Sequence, residues 1–172
     1  MQAKWFHSTE PSELPDFESL NGNSGSLLIG FASTQKPYPY IKNEQITGFD
    51  VELLTMFAEE YDYRLKFEDA SFGGLLNGIE QGHYDIVCSG VSITEERQES
   101  MSFSDPYYEE ALVLVVMDNG TMTDKKLDSF QHATLGVIDG SLYDGFSREL
   151  FPDARIDSYP SFNDLFQCVK QE

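Results

Sequence analysis

Within residues 84–116 the residue types and their spacing suit the holding of an anion. Ser92 and Glu95 have the S-x-x-E spacing of a helix capping box, in which the hydroxyl takes a free backbone N–H and the carboxylate reaches back to the cap. Just upstream, residues 86–88 form an apolar run bounded by Asp85 and Gly90, which predicts a buried strand feeding straight into that helix. Such a junction gathers unpaired N–H groups at the positive end of the helix dipole, so a carboxylate or phosphate is what it can bind. Arg97 then falls in the first turn, the wrong end of the dipole for a cation. A ligand carboxylate, gripped by the planar guanidinium in a bidentate pair, would repay that placement. The competing expectation is an ordinary ion pair with Glu95, Asp105 or another acid of the chain.

The elements that must position these groups alternate along the chain. Residues 27–32 are an apolar run fit for a strand, and K-P-Y-P-Y over 36–40 is a rigid loop with two prolines. From Phe49 the pattern turns helical: Leu53, Phe57 and Tyr61 repeat every four residues, with Leu54 and Ala58 on the same face. Strands are predicted over 64–68, 86–88, 112–116, 134–138 and 155–159, and helices over 72–81, 140–150 and 161–170. The βαβαβα order implies an α/β fold with a mostly parallel, doubly wound sheet. The junction at Asp139, Gly140 and Ser141 repeats the strand-to-helix design around Ser92, so two such junctions facing across a cleft would clasp one small ligand.

Composition narrows the class. With 40% apolar and 13% aromatic residues, 172 residues can bury a core. Eleven Lys and Arg against thirty acids, a net charge of −19, leave no basic patch and argue against nucleic acid. No run reaches the length of a membrane span and no secretion signal is visible. Three scattered histidines offer no metal spacing, and Cys88 and Cys168 read as small buried hydrophobes rather than a bridge. No metal and no cofactor are expected.

The stretch SGVSITEERQESMSFSDPYY resembles the signature of the polar amino-acid family of bacterial extracellular solute-binding proteins, the capture components of ABC importers. Three further blocks match in order: ITGFDVELLTMFAEEYDYRLKFED, SFGGLLNGIEQGHYDIV and LDSFQHATLGVIDGSLYDGF. The resemblance covers about residues 27–172. It implies a two-lobed, Venus-flytrap, periplasmic-binding-protein-like fold, with lobe one over 26–111 and an incomplete lobe two over 112–172 that lacks the return crossing. It further implies extracytoplasmic capture of a small polar amino acid by hinge closure, with an ABC permease as partner, carried separately or fused in the same polypeptide. The membrane is reached through the full-length protein only.

Carried over residue by residue, the resemblance makes Arg97 the carboxylate-binding arginine and Ser92 its helper through N–H and hydroxyl. Ser89 and Gly90 are implied to meet the ligand through their main chain, and Phe72 to wall the pocket. Ser141 is implied to be the small hydroxyl residue opposite. Leu142 stands where a polar residue is common, leaving its backbone N–H. The shifted aromatics of the 36–40 loop leave either Tyr38 or Tyr40 facing the ligand. Thr34 stands where binders of basic amino acids tend to carry an acid, which weakens a lysine or arginine assignment.

Residues 2–6, QAKWF, resemble the last helix of a solute-binding module, and the polar, Ser-, Pro- and Gly-rich stretch after them reads as a linker. Residues 1–25 are therefore expected to be the tail of a preceding module plus a linker, as in a tandem array. Two other function classes stay open on this fold: the sensor region of a membrane receptor or kinase, and a dehydratase-type enzyme. An enzyme would need an acid or base near the bound carboxylate, and Glu109 and Glu110 are the candidates. No catalytic residue is assigned, and the chain is read as a binder rather than an enzyme.

Overall fold

The computed structural model describes residues 22–34, 36–117 and 126–171. The tail and linker expected over 1–25 lie almost wholly outside the described residues. Strand β1 (Gly25–Phe31) is the centre of a three-stranded parallel sheet, with β4 (Tyr63–Asp69) on one side and β5 (Ile86–Cys88) on the other. Alternation along β1 sends successive side chains to opposite faces, and both faces are covered. Ile29 and Phe31 join Ala58, Leu65 and Cys88 in a cluster that includes α1 (Phe49–Tyr61). Leu28 and Ala32 turn the other way, to Leu75 of α2 (Phe72–Glu80) and to Tyr84. Such two-sided burial is what a parallel sheet needs and explains the continuous apolar run of β1.

A second ladder pairs β6 (Thr134–Ile138) with β7 (Arg155–Tyr159), also in parallel, connected by α4 (Leu142–Leu150) and followed by α5 (Phe162–Gln171). The two sheets are those of a two-lobed α/β fold. Their strands present carboxyl ends to the space between, the usual place for a ligand in such folds. Between β1 and α1 lies a small antiparallel hairpin, β2 (Tyr40–Lys42) with β3 (Gln45–Thr47), which the sequence reading lacked.

Three expectations are corrected. Residues 112–116 form no strand: they run outside every ladder among the described residues, with Val113 75% exposed. An apolar run suits a strand, but backbone N–H and C=O groups make one only where a neighbour receives them. The helix after β5, α3 (Glu95–Gln98), is a single turn capped by Thr94, whose Oγ accepts the N–H of Arg97 at 3.1 Å; Ser92 is not the cap. Of two hydroxyls near the turn, the one three residues before Arg97 has the N-cap spacing. Finally, Cys168 is exposed while Cys88 is buried, both as free thiols. In α5 the half-buried positions are Phe162, Leu165 and Val169, and Cys168 falls off that face.

Candidate functional site

Because α3 is one turn long, its dipole is small, and Arg97 belongs to the last turn as much as to the first. The case for a ligand carboxylate therefore rests on the guanidinium and its surroundings. Arg97 Nη1 donates to the carbonyl of Ser92 at 2.9 Å and Nη2 to the carbonyl of Gly140 at 3.1 Å. One end of the fork thus grips the loop after β5 and the other the loop after β6. Its Cζ lies 5.8 Å from the centre of the Phe72 ring, which desolvates one side of it. Burial pushes the Arg97 pKa down while Glu96 pushes it back; a guanidinium stays charged throughout. No carboxylate among the described residues lies within 4.0 Å of it. The expected ion pair with Glu95 or Asp105 is not formed.

Around this fork is a cleft of about 440 Å³ lined from both lobes. Of the residues singled out in the sequence, Tyr38, Phe72, Gly90, Ser92, Arg97, Ser141 and Leu142 line it. Tyr38 meets Tyr108 edge to face with ring centres 5.8 Å apart. Tyr40 does not line the cleft; it begins β2, with Lys36 Nζ 5.0 Å over its ring. Ser89 is fully buried, and its Oγ accepts the N–H of Ala32 at 2.8 Å, tying the end of β5 to the end of β1. Ser141 turns its hydroxyl back to the carbonyl of Ile138 at 2.5 Å.

Two glycines let the walls close. Gly90 has φ +59°, and a side chain there would meet the Tyr38 ring at 2.8 Å. Gly140 has φ +70°, and a Cβ would stand 3.2 Å from the Cα of Gly73 on α2. Both positions favour glycine, and at the second a side chain would press on the opposite lobe at Gly73. Behind Gly90 sits Asp50, 1% exposed in the first turn of α1, accepting the Gly90 N–H at 3.4 Å and the Tyr107 hydroxyl at 3.1 Å. Burial raises the Asp50 pKa against the opposing effect of these two bonds. Burial and the Asp50 charge push the Tyr107 and Cys88 pKa values up.

The sequence reading missed Lys36, Tyr108, Tyr143 and Phe162 as cleft residues. Tyr143 carries the clearest signal in retrospect, since it follows Leu142 in the first turn of α4; burial and nearby Glu110 raise its hydroxyl pKa. Glu109 and Glu110 also line the cleft. A smaller cavity of about 340 Å³ adjoins it, sharing Phe72, Ile138 and Phe162 as walls.

Residues 27–168 match the model of the bacterial extracellular solute-binding proteins, family 3. The arginine-binding extracellular protein ArtP of Bacillus subtilis is 30% identical over 161 residues, covering 88% of this chain and 62% of that protein. The ABC transporter arginine-binding protein 1 of Escherichia coli is 28% identical over 145 residues, covering 84% of this chain and 58% of its own length. This chain thus spans about three-fifths of the length of these curated relatives. An amino acid ABC transporter substrate-binding protein, AbpA of Streptococcus pneumoniae, solved bound to L-arginine, superposes with a TM-score of 0.81. It is 26% identical, with 90% of this chain and 66% of that one covered. By sequence and by fold, this chain belongs to family 3 of the bacterial extracellular solute-binding proteins.

Proposed function

We propose that this chain captures a polar amino acid outside the cytoplasm for an ABC importer. The ligand docks on the lobe holding Arg97, taken as residues 26–111, and the lobe formed by 112–172 closes over it. What carries the reading is Arg97: a half-buried guanidinium at the cleft, within reach of both lobes and with no carboxylate partner among the described residues. A ligand carboxylate would complete it, the N–H groups of Ser92 and Leu142 would assist, and Phe72 and Tyr38 would wall the aliphatic part, while the Ser141 N–H is already given to the carbonyl of Ile138 at 3.1 Å. Excluding water on closure strengthens each charged hydrogen bond. Closure follows binding because the ligand favours the closed form.

Binding rather than catalysis is supported by the relatives, which are named as binding proteins. The partner is an ABC permease, carried separately or fused in the same polypeptide. The test is a thermal-shift panel of the twenty amino acids on the native full-length protein. One or a few polar amino acids should raise the melting temperature; a flat panel from a folded protein contradicts the reading and favours a sensor of other ligands.

A further inference from the structure

The smaller cavity has a composition of its own. Ala32, Ala70, Phe72, Ile138, Pro160 and Phe162 give it apolar walls, and Asp69 is the one ionisable residue lining it. Two of its hydroxyls are already engaged: Ser71 Oγ accepts from Gly74 at the start of α2, and Ser161 Oγ bonds Asp164 at the start of α5. Asp69 ends β4, next to the end of β1, and Ser33 fixes its carboxylate through both oxygens. The Ser33 N–H donates to Oδ1 at 3.0 Å and the Ser33 hydroxyl to Oδ2 at 2.6 Å. No Lys, Arg or His nitrogen among the described residues lies within 4.0 Å of it. The result is an oriented, exposed anion without a cation among the described residues, at one end of a cavity that mixes hydroxyl side chains with apolar and aromatic ones.

We propose that this cavity receives the end of the ligand's side chain and that Asp69 selects a cationic one. The inference rests on amino-acid capture by Arg97. Phe72 links the two sites: it lines both cavities, and its ring lies under the Arg97 guanidinium. A ligand with its carboxylate on Arg97 would run its methylene stem along Phe72, and a terminal guanidinium or ammonium would meet Asp69. Phe72 and Phe162 line the way to that carboxylate. Thr34, the position whose lack of charge spoke against a basic ligand, lines this same cavity; the negative charge comes instead from the neighbouring strand.

The test compares ligands of equal shape and different charge by calorimetry on the native full-length protein: arginine against citrulline, lysine against 2-aminoheptanoic acid. The cation of the tighter-binding pair should bind at least about tenfold more tightly than its neutral counterpart. In Asp69→Asn that ratio should collapse toward one while the neutral ligand keeps its affinity; Asp69→Ser is the second variant should the first not fold. A wild-type ratio near or below one overturns the proposal without any variant, and so does a ratio that survives the loss of Asp69. In either case, measurable binding would leave amino-acid capture standing. No binding of any amino acid would remove that reading and this proposal together.

Discussion

The sheet β4-β1-β5 is sealed on both faces by α1 and α2 and holds Ile29 and Leu75 at 0% exposure. The ladder β6-β7 has two strands, its helix α4 contains no buried residue, and its buried apolar side chains are Val137, Ile138 and Phe151. The first region therefore has the stiffness to hold Arg97 and Gly90 in place before a ligand arrives. The second leaves Phe146 and Leu150 of α4 exposed among the described residues. Under the proposed function the first surface would receive the ligand and the second would cover it.

Truncating equivalent leucines on the two sides should expose the difference first. Leu75→Ala leaves a cavity in the sealed core and should cost about 2–5 kcal/mol by chemical denaturation. Leu150→Ala, at a side chain 52% exposed on α4, should stay within about 0.5 kcal/mol. Similar costs would break the comparison.

A smaller effect separates backbone strain from lobe contact. Gly140→Ala and Gly82→Ala both place a side chain at positive φ, +70° and +72°, and each should lose about 1–2 kcal/mol of stability. Only Gly140 faces the other lobe, since a Cβ at Gly82 meets nothing within 4 Å. Ligand affinity, measured by titration, should therefore fall in Gly140→Ala and hold in Gly82→Ala.

The smallest effect is a pH dependence. Burial raises the Asp50 pKa above its ordinary 3.8, so the folded state holds that proton more tightly than the unfolded state. Stability is then lost as pH rises from about 3.8 through the raised value. Unfolding free energies of wild type minus Asp50→Asn should decline across that window and level off above it; a flat difference would show that Asp50 ionises in the fold as it does in water.

Much of this arrangement was legible in the residues. The strands at 86–88, 134–138 and 155–159 appear with the expected bounds. The run 112–116 has the same apolar character and forms no strand, because pairing depends on a neighbour that the segment itself does not specify. The hairpin of β2 and β3 escaped notice because its strands are three residues long and its turn carries Asn43 and Glu44 at φ 51° and 65°. Asn-Gly announces that geometry and Asn-Glu does not. Seven of nine candidate residues line the cleft, since a loop after a strand end projects into it wherever the fold places that end. Tyr143 lay within reach of that rule as the residue after Leu142, whereas Tyr108 follows no strand end and could not be found that way.

The most direct test is titration of the native full-length protein and its Arg97→Ala variant with the amino acid that binds most tightly. Loss of the guanidinium should cost about 2–5 kcal/mol of binding free energy with an unchanged circular dichroism spectrum. Equal affinity in the two proteins would contradict the carboxylate-binding role of Arg97.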